Sequence, residues 1–274
     1  MKGKLQRLCI YLFLFLLVIL TLYPLYFELI SSFKPVDQYS MYKLGFPKTF
    51  YPGNYTAVLF RMNLLSYMMN TVITVALCLV FYLIICSAAG LAFGKFNFKG
   101  RIVLFLLVLF LMIFPQMLVA GELYQMLSRM RLLNTRLGII FAWCAYFAPF
   151  GSYIMTTYFA AVPKEIIESA RIDGSNVIQM LFKIMMPVAK PMVGTNCVIG
   201  MLSMWNELPF AALVLQQDDL RTLTVGIALM QGQYGLPVPV TAAAVIITAL
   251  IPMVCYFFFQ NFIALDVTAG SVKG

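Results

Sequence analysis

Six long apolar segments constrain this chain more than any other feature of its sequence. Each is long enough to cross a hydrocarbon core of roughly 30 Å, which takes about 20 helical residues. The segments cover approximately residues 8–30, 67–93, 102–127, 137–161, 188–215 and 238–263. Of all residues, 62% are hydrophobic and only 11% are charged, whereas a soluble domain carries about 25% charged residues. The sequence predicts an all-α, polytopic membrane protein with six transmembrane helices in one domain, residues 1–274.

The first apolar segment could be mistaken for a secretion signal, because Lys2, Lys4 and Arg7 precede it. Its apolar run is much longer than the roughly 7–15 residues of a signal's core, and no Ala-x-Ala cleavage site follows. We therefore expect an uncleaved transmembrane helix at this position.

Six crossings place both termini on the same side of the membrane. With the termini inside, 11 of the 19 lysines and arginines lie on internal segments and 8 on external ones. The excess is in the direction of the positive-inside rule, although Arg129, Arg131 and Arg136 on an external loop oppose it. The sequence favours cytoplasmic termini in a prokaryotic plasma or inner membrane. The net charge of +9 is dispersed over separate loops, so it does not indicate nucleic-acid binding.

Residues 163–176 form a polar loop between the fourth and fifth apolar segments. Pro163 suits the first turn of a helix, and Glu168 and Arg171 are spaced to pair across one turn, worth only about 0.2–0.5 kcal/mol. Ala170 and Gly174 would let a neighbouring backbone approach closely, and Gly174 can adopt a positive φ that ends the helix. We expect a short helix against which another protein packs.

Several motifs carry a resemblance to a known family. The loop's Glu168-Ser169-Ala170, the glycine four residues later and the following Ile184-x-Met186-Pro187 resemble the EAA loop of ABC-importer membrane subunits. Ser169 replaces the usual alanine. Trp205-Asn206-Glu207 and the ending Gly270-Ser271-Val272-Lys273-Gly274 resemble signatures of the maltose-type carbohydrate uptake permeases.

The resemblance implies a permease subunit of an ATP-driven, binding-protein-dependent importer of an oligosaccharide or sugar derivative. The implied partners are a second homologous permease subunit, two cytoplasmic ATP-binding subunits and an extracytoplasmic solute-binding protein. In the family the loop at 163–176 is a cytoplasmic coupling helix that docks into the ATPase. The residues implied in that coupling are Glu165, Glu168, Ser169, Ala170, Arg171, Asp173, Gly174, Ile184 and Pro187.

Three further sets of residues follow from the same resemblance. Within the cytoplasmic tail, 265–274, the ATPase-contacting residues are Gly270, Ser271, Val272, Lys273 and Gly274. The residues implied in binding-protein contact are Gln231, Gln233 and Tyr234. Trp205, Asn206 and Glu207 are candidates for the translocation path or its gate.

Glu207 admits two interpretations from its sequence context. A carboxylate within a membrane helix is costly, by about 2.5–3.5 kcal/mol, so by default it faces a cavity or a partner. It could therefore line or gate the path. Alternatively, the helix breaks near Pro209, and Glu207 lies at the external interface and pairs locally.

The chain lacks the groups that would make it an enzyme or a metalloprotein. It has no histidine, and none of its six cysteines forms a C-x-x-C pair, so a Cys/His zinc site is excluded. The segment from Gly90 to Phe96 has neither the spacing nor the Ser or Thr of a Walker A motif. We expect no cofactor on this chain, with ATP and Mg²⁺ bound by partner subunits.

Three other hypotheses about the function remain open. The substrate could be a non-sugar solute such as an amino acid or a peptide. The chain could be an ion-coupled secondary carrier, although such carriers often show inverted repeats and midspan acids. It could also be a membrane enzyme or assembly factor, which the missing catalytic groups disfavour.

Overall fold

The computed structural model describes residues 2–232 and 235–270. Those residues are helical or irregular, and no strand occurs among them, which confirms the all-α prediction. The α-helices are α1 (Lys2–Ser32), α2 (Val36–Met41), α3 (Gly53–Thr56), α4 (Leu64–Lys95), α5 (Arg101–Leu111), α6 (Gln116–Arg129), α7 (Arg136–Ala161), α8 (Lys164–Ile172), α9 (Val177–Gln179), α10 (Met186–Val188), α11 (Lys190–Trp205), α12 (Pro209–Val214), α13 (Leu223–Gly232) and α14 (Val238–Gly270). Two π-helical turns, Ala57–Arg61 and Met180–Met185, and one 3₁₀ turn, Asp218–Leu220, complete the secondary structure.

The described chain divides into two compact units, residues 2–66 with 226–251 and residues 67–225 with 252–270. In the second unit, α7 packs against α5, α11 and α12. Its interior contains the fully buried ring of Trp143 and the nearly fully buried ring of Tyr82. The Tyr82 hydroxyl donates to Asn196 Oδ1 at 2.7 Å, which links α4 to α11. Because a Cβ at Gly200 would lie 2.7 Å from the Tyr82 ring, only glycine allows this close packing.

In the first unit, the segment after α1 is organised around a buried lysine. Lys34 is 0% exposed, and its Nζ donates to the backbone oxygens of Tyr42 and Lys43 at 3.2 and 2.8 Å. Asn54 Nδ2 donates to the backbone oxygens of Ser32 and Lys34, each at 2.8 Å. Burial lowers the pKa of Lys34, because removal from water disfavours the charged form. The loop is therefore held by side chains that bond to its backbone.

Four of the six predicted apolar segments lie within single helices that are long and apolar enough to cross a membrane. These helices cover Gln6–Ser32, Leu64–Lys95, Arg136–Ala161 and Val238–Phe258.

The other two predicted segments, 102–127 and 188–215, are not continuous helices. The first consists of α5 and α6, bent by 103°. The bend lies before Pro115, which has no N–H to donate and forces an extended neighbour. The second is preceded by a bend of 88° between Val177–Val188 and α11, next to Pro191, and it is broken again between α11 and α12. Counting each bent pair as one crossing gives up to six crossings.

Candidate functional site

The polar loop predicted from the sequence contains a short helix, α8, Lys164–Ile172, preceded by Pro163. Glu165 lies in its first turn and Arg171 in its last. This arrangement suits the helix macrodipole, which favours acids at the N-terminus and bases at the C-terminus. The sequence therefore determines the start and the polarity of α8 locally.

Gly174 ends α8 in the left-handed conformation, with φ of +77°. Its N–H donates to the Arg171 oxygen, and the Ser175 N–H donates to the Ala170 oxygen, both at 3.0 Å. These two hydrogen bonds form a Schellman motif, which satisfies carbonyls that a helix end would otherwise leave free. The predicted positive φ of Gly174 is confirmed.

One face of α8 packs on its own chain and the other is exposed. Ile167 and Ala170 are 5% and 3% exposed, so the interpretation that Ala170 receives a partner's backbone is wrong. Its small side chain fits the interior of its own chain. The exposed residues of α8 and its end are Lys164, Glu165, Glu168, Ser169, Arg171, Ile172, Asp173 and Gly174.

The pairing anticipated between Glu168 and Arg171 is absent from this part of the structure. Instead, the Arg171 guanidinium lies 5.7 Å from the centre of the Phe96 ring, within cation–π range. At Gly174 an added Cβ would meet no atom within 4 Å. Within this chain, glycine is therefore required at position 174 for its backbone conformation and not for close packing.

An apolar surface continues beyond α8, and the sequence reasoning missed it. Asn176 and Gln179 form a capping box, with Asn176 Oδ1 accepting the Gln179 N–H at 2.9 Å. The side chains of Ile172, Val177 and Ile178 are 86%, 56% and 69% exposed. These apolar residues interrupt a polar loop in the sequence, and that pattern could have indicated the apolar surface. Of the remaining predicted coupling residues, Ile184 is half-buried and Pro187 is exposed.

A second cluster forms around Glu207, which is only 5% exposed. Helix α11 ends at Trp205 and α12 begins at Pro209, so Glu207 lies in the break between them. Its carboxylate accepts hydrogen bonds from the backbone N–H groups of Phe210 at 2.6 Å and Ala211 at 2.9 Å. It thus caps the start of α12.

Two side chains distant in sequence complete the environment of the Glu207 carboxylate. Gln116 Nε2 donates to one oxygen at 2.5 Å, and Trp143 Nε1 donates to the other at 2.8 Å. No lysine or arginine in the described ranges pairs with it. The carboxylate is therefore stabilised by four N–H donors, and it joins α6, α7 and α12.

This geometry bears on both interpretations of Glu207. The break near Pro209 and the local pairing match the second alternative, but the side chain is buried rather than solvated. Neighbouring Asn206 is exposed, and its side chain donates to the Leu202 oxygen of its own helix at 2.8 Å, with no other hydrogen bond to the described residues. Trp205 is 4% exposed, and its Nε1 has no partner among the described residues.

A cleft of about 270 Å³ lies in the same unit, lined largely by apolar side chains. Phe114, Tyr146 and Phe210 contribute aromatic rings to it, and Glu122 contributes a carboxylate. Phe210 also donates its backbone N–H to Glu207. The cleft and the Glu207 cluster therefore share a residue.

The segment between α12 and α13 is held by hydrogen bonds to polar side chains from other parts of the chain. Asn134 Oδ1 accepts the N–H groups of Gln216 and Gln217 at 2.7 and 3.0 Å. The Tyr67 hydroxyl donates to Asp218 at 2.6 Å. The segment is thus held in one conformation by residues from α4 and the turn before α7.

Two predicted sets are placed only in part. Gln231 lies in α13, but its side chain is not described. Gln233 and Tyr234 lie outside the described residues. Gly270 is the last residue of α14, and Ser271, Val272, Lys273 and Gly274 lie outside the described range.

We next compared the sequence and the fold of this chain with those of known proteins. Residues 86–267 match the family model of the binding-protein-dependent transport system inner membrane component. The chain is 30% identical to the trehalose/maltose transport system permease protein MalG of Thermococcus litoralis, over 100% of this chain and 99% of that protein. It is also 30% identical to the melibiose/raffinose/stachyose import permease protein MelC of Bacillus subtilis, over 92% and 91% of the two chains.

Another relative is the arabinooligosaccharides transport system permease protein AraQ of Halalkalibacterium halodurans, 28% identical over 93% of this chain and 92% of that protein. Among solved structures, a bacterial ABC transporter that imports the acidic polysaccharide alginate matches the fold with a TM-score of 0.80. It covers 96% of this chain and 98% of its own, at 22% identity. The multi-pass helical architecture, the coupling-type loop and these matches show that the chain belongs to the binding-protein-dependent transport system inner membrane components, the permease subunits of ABC importers.

Proposed function

We propose that this chain is one of two permease subunits of an ATP-driven importer of an oligosaccharide or sugar derivative. The names of three relatives, for trehalose/maltose, melibiose/raffinose/stachyose and arabinooligosaccharides, support a saccharide over an amino acid or peptide. The near-complete coverage of the MalG relative supports a role for the whole chain in the same kind of assembly.

The observation that carries the proposal is the exposed face of α8. This helix is short, locally terminated by Gly174 and placed between apolar helices. It presents acids at Glu165 and Glu168, with an apolar continuation at Ile172 and Ile178. A surface that combines exposed apolar side chains with charges suits contact with another protein. In the proposed assembly, it docks on an ATP-binding subunit.

Docking of α8 on a cytoplasmic subunit determines the orientation of the chain in the membrane that we propose. With α8 in the cytoplasm, both termini lie inside, and the segment 216–237, which contains α13, faces outward. This segment would then meet the solute-binding protein, with Gln231, Gln233 and Tyr234 as contacts. The tail from Gly270 to Gly274 would lie on the ATPase side. The small excess of lysine and arginine on the internal segments supports this orientation.

Energy for transport would enter through the partner subunits, which bind ATP and Mg²⁺. In this proposal, the chain's own contribution is mechanical. Movement of the ATPase is passed to α8 and from there to the membrane helices.

The structure suggests how α8 would transmit that movement. Only Val162 and Pro163 separate α7 from α8, and the segment after Gly174 leads through α9 and α10 into α11. Helices α7 and α11 pack directly against each other. A displacement of α8 would therefore tilt this pair together, opening a cavity alternately to the two sides of the membrane.

We assign different roles to the three residues of the Trp205-Asn206-Glu207 motif. Glu207 holds the break between α11 and α12 in a fixed shape through its four donors. Asn206 is exposed, and in this proposal its side-chain amide faces the translocation path. Trp205 packs in the interior beside them.

The test is reconstitution of the importer with its candidate ATP-binding subunits, second permease and binding protein. We expect ATP hydrolysis that rises with loaded binding protein, together with uptake of labelled oligosaccharides. Amino acids and short peptides serve as competing substrates. Uptake of those solutes alone, or uptake that continues without any ATP-hydrolysing subunit, would contradict the proposal.

A further inference from the structure

The end of α4 contacts the helix that leads into α8. Lys95, the last residue of α4, donates through Nζ to the backbone oxygens of Ala160, at 3.2 Å, and Val162. The final carbonyls of a helix have no partner within it and carry partial negative charge. Lys95 therefore binds the free C-terminal end of another helix, α7, immediately before the turn into α8.

The residue after Lys95 contacts the opposite end of α8. The ring of Phe96 lies 5.7 Å from the Arg171 guanidinium, and Arg171 is in the last turn of α8. Two consecutive residues, one at the end of α4 and one just after it, thus contact the residues immediately before α8 and the last turn of α8. From the sequence, this stretch is expected only to be the small residues that end a helix at a basic membrane edge.

Helix α4 itself is packed closely enough to act as a support. A Cβ added at Gly90 would lie 2.6 Å from the Met155 Cβ, and one added at Gly94 would lie 3.0 Å from the Thr156 oxygen. The last two turns of α4 therefore lie backbone against backbone on α7. Further along, Tyr82 of α4 bonds to Asn196 of α11.

We infer that Lys95 and Phe96 are positioning residues that clamp α8, so that α4 moves with α8 as a third coupled helix. The inference rests on the proposed function, because it specifies how the coupling helix transmits force. Chain connectivity alone ties α8 to α7 and to the segment that leads into α11. The clamp adds α4, with Lys95 holding the N-terminal side of α8 and Phe96 holding the C-terminal side through Arg171.

The chain offers a matched control in Lys99. It lies in the turn before α5, carries the same charge, is exposed and has no partner in the part of the chain that the structure describes. Lys95→Met removes the charge and the donors but keeps the length of the side chain, whereas Lys95→Arg keeps the charge and the donors.

The first measurement is backbone hydrogen exchange over residues 162–172 in the full chain in nanodiscs. We expect Lys95→Met to speed exchange about tenfold, the factor equivalent to ~1.4 kcal/mol. Lys95→Arg and Lys99→Met should exchange as the unaltered chain does. Unchanged exchange in Lys95→Met would overturn the clamp, whether or not the importer proves to be ATP-driven.

The second measurement is solute taken up per ATP hydrolysed by the reconstituted importer. Lys95→Met should retain the ATP-binding subunits on purification yet lower this ratio about tenfold, and Lys95→Arg should restore it. An unchanged ratio would overturn the inference. Failure of the unaltered importer to link uptake to ATP would instead contradict the proposed function, while the exchange result still decides the clamp.

If Lys95→Met does not assemble, the Phe96–Arg171 contact decides the question through a double-mutant cycle. Phe96→Leu and Arg171→Gln should each lower the ratio about twofold, and the double variant should lower it no further. Simple additivity of the two effects would mean that the contact carries no coupling, and the inference would fail.

Discussion

Two acidic regions of this chain, the α8 loop and the Glu207 cluster, use carboxylates in opposite ways. In the loop, Glu165 and Glu168 are exposed and accept no hydrogen bond from the described residues, although the charge of Glu165 attracts that of Lys95. Glu207, by contrast, is 5% exposed and accepts four hydrogen bonds from N–H groups. The first region leaves its carboxylates open to solvent. The second uses its charge to hold three helices together.

This difference separates two kinds of functional residue. A buried carboxylate with four donors stabilises the fold, since removing it leaves those donors unpaired. An exposed carboxylate contributes little to the fold, because water already solvates it. Substitutions should therefore divide into those that lower stability and those that lower only coupling.

The largest effect on stability should come from Glu207→Leu. Removing the acceptor leaves the N–H groups of Phe210, Ala211, Gln116 and Trp143 unpaired, so the free energy of unfolding should fall by about 3–5 kcal/mol. Denaturant unfolding in mixed micelles measures this. Glu122→Gln, at an exposed glutamate, is the control and should change it by less than about 0.5 kcal/mol. If the two substitutions lowered the free energy of unfolding equally, the buried and exposed carboxylates would not differ in their contribution to the fold.

Trp143→Phe should have the next largest effect. It removes one hydrogen bond to the Glu207 carboxylate, of 2.8 Å, and keeps most of the ring. The expected loss is about 1.5–3 kcal/mol of unfolding free energy. In a Glu207→Leu background that loss should largely disappear. If it persists in full, the tryptophan stabilises the fold by packing and not through the carboxylate.

Gly174→Arg should reduce stability less but reduce coupling more. A non-glycine residue at a φ of +77° costs about 1–2 kcal/mol, mostly in the local end of α8. The arginine also protrudes from the proposed docking face, so uptake per ATP should fall about tenfold or more. Gly174→Asn is the matched control, since asparagine tolerates this conformation. Normal uptake in the arginine variant would count against docking at this position.

Asn206→Ala should have the smallest effect on stability, within about 0.5 kcal/mol, because the side chain is exposed. If Asn206 faces the translocation path, uptake should still fall about fivefold, the factor expected for loss of one hydrogen bond of ~1 kcal/mol. Transport assays run beside the unfolding measurements test this. Unaltered uptake in Asn206→Ala would show that this side chain does not line the translocation path.

The sequence predicted the features that depend on neighbouring residues. The helix at 164–172 and its end at Gly174 follow from Pro163, the placement of Glu165 and Arg171, and the freedom of glycine. Four long apolar segments likewise coincide with single helices, because hydropathy over about 20 residues is a local property.

Features that depend on distant residues could not be predicted in this way. The partners of Glu207 include Gln116 and Trp143, which are 91 and 64 residues away in the chain. The burial of Ala170 and the contact of Lys95 with Val162 also arise from packing between helices. The two bends, of 103° and 88°, were not predicted, and their angles depend on how the helices pack.

We propose that α8 and its apolar continuation touch an ATP-hydrolysing partner in the cytoplasm. The most direct test places a photocrosslinking amino acid at Ile172, which is 86% exposed, in cells that express the whole importer. A matched probe at Met130, 54% exposed and expected on the outer side, serves as the comparison. We expect a crosslink from residue 172 to the ATP-binding subunit and none from residue 130. A crosslink from residue 172 to the extracytoplasmic binding protein, or to no nucleotide-hydrolysing subunit, would contradict it.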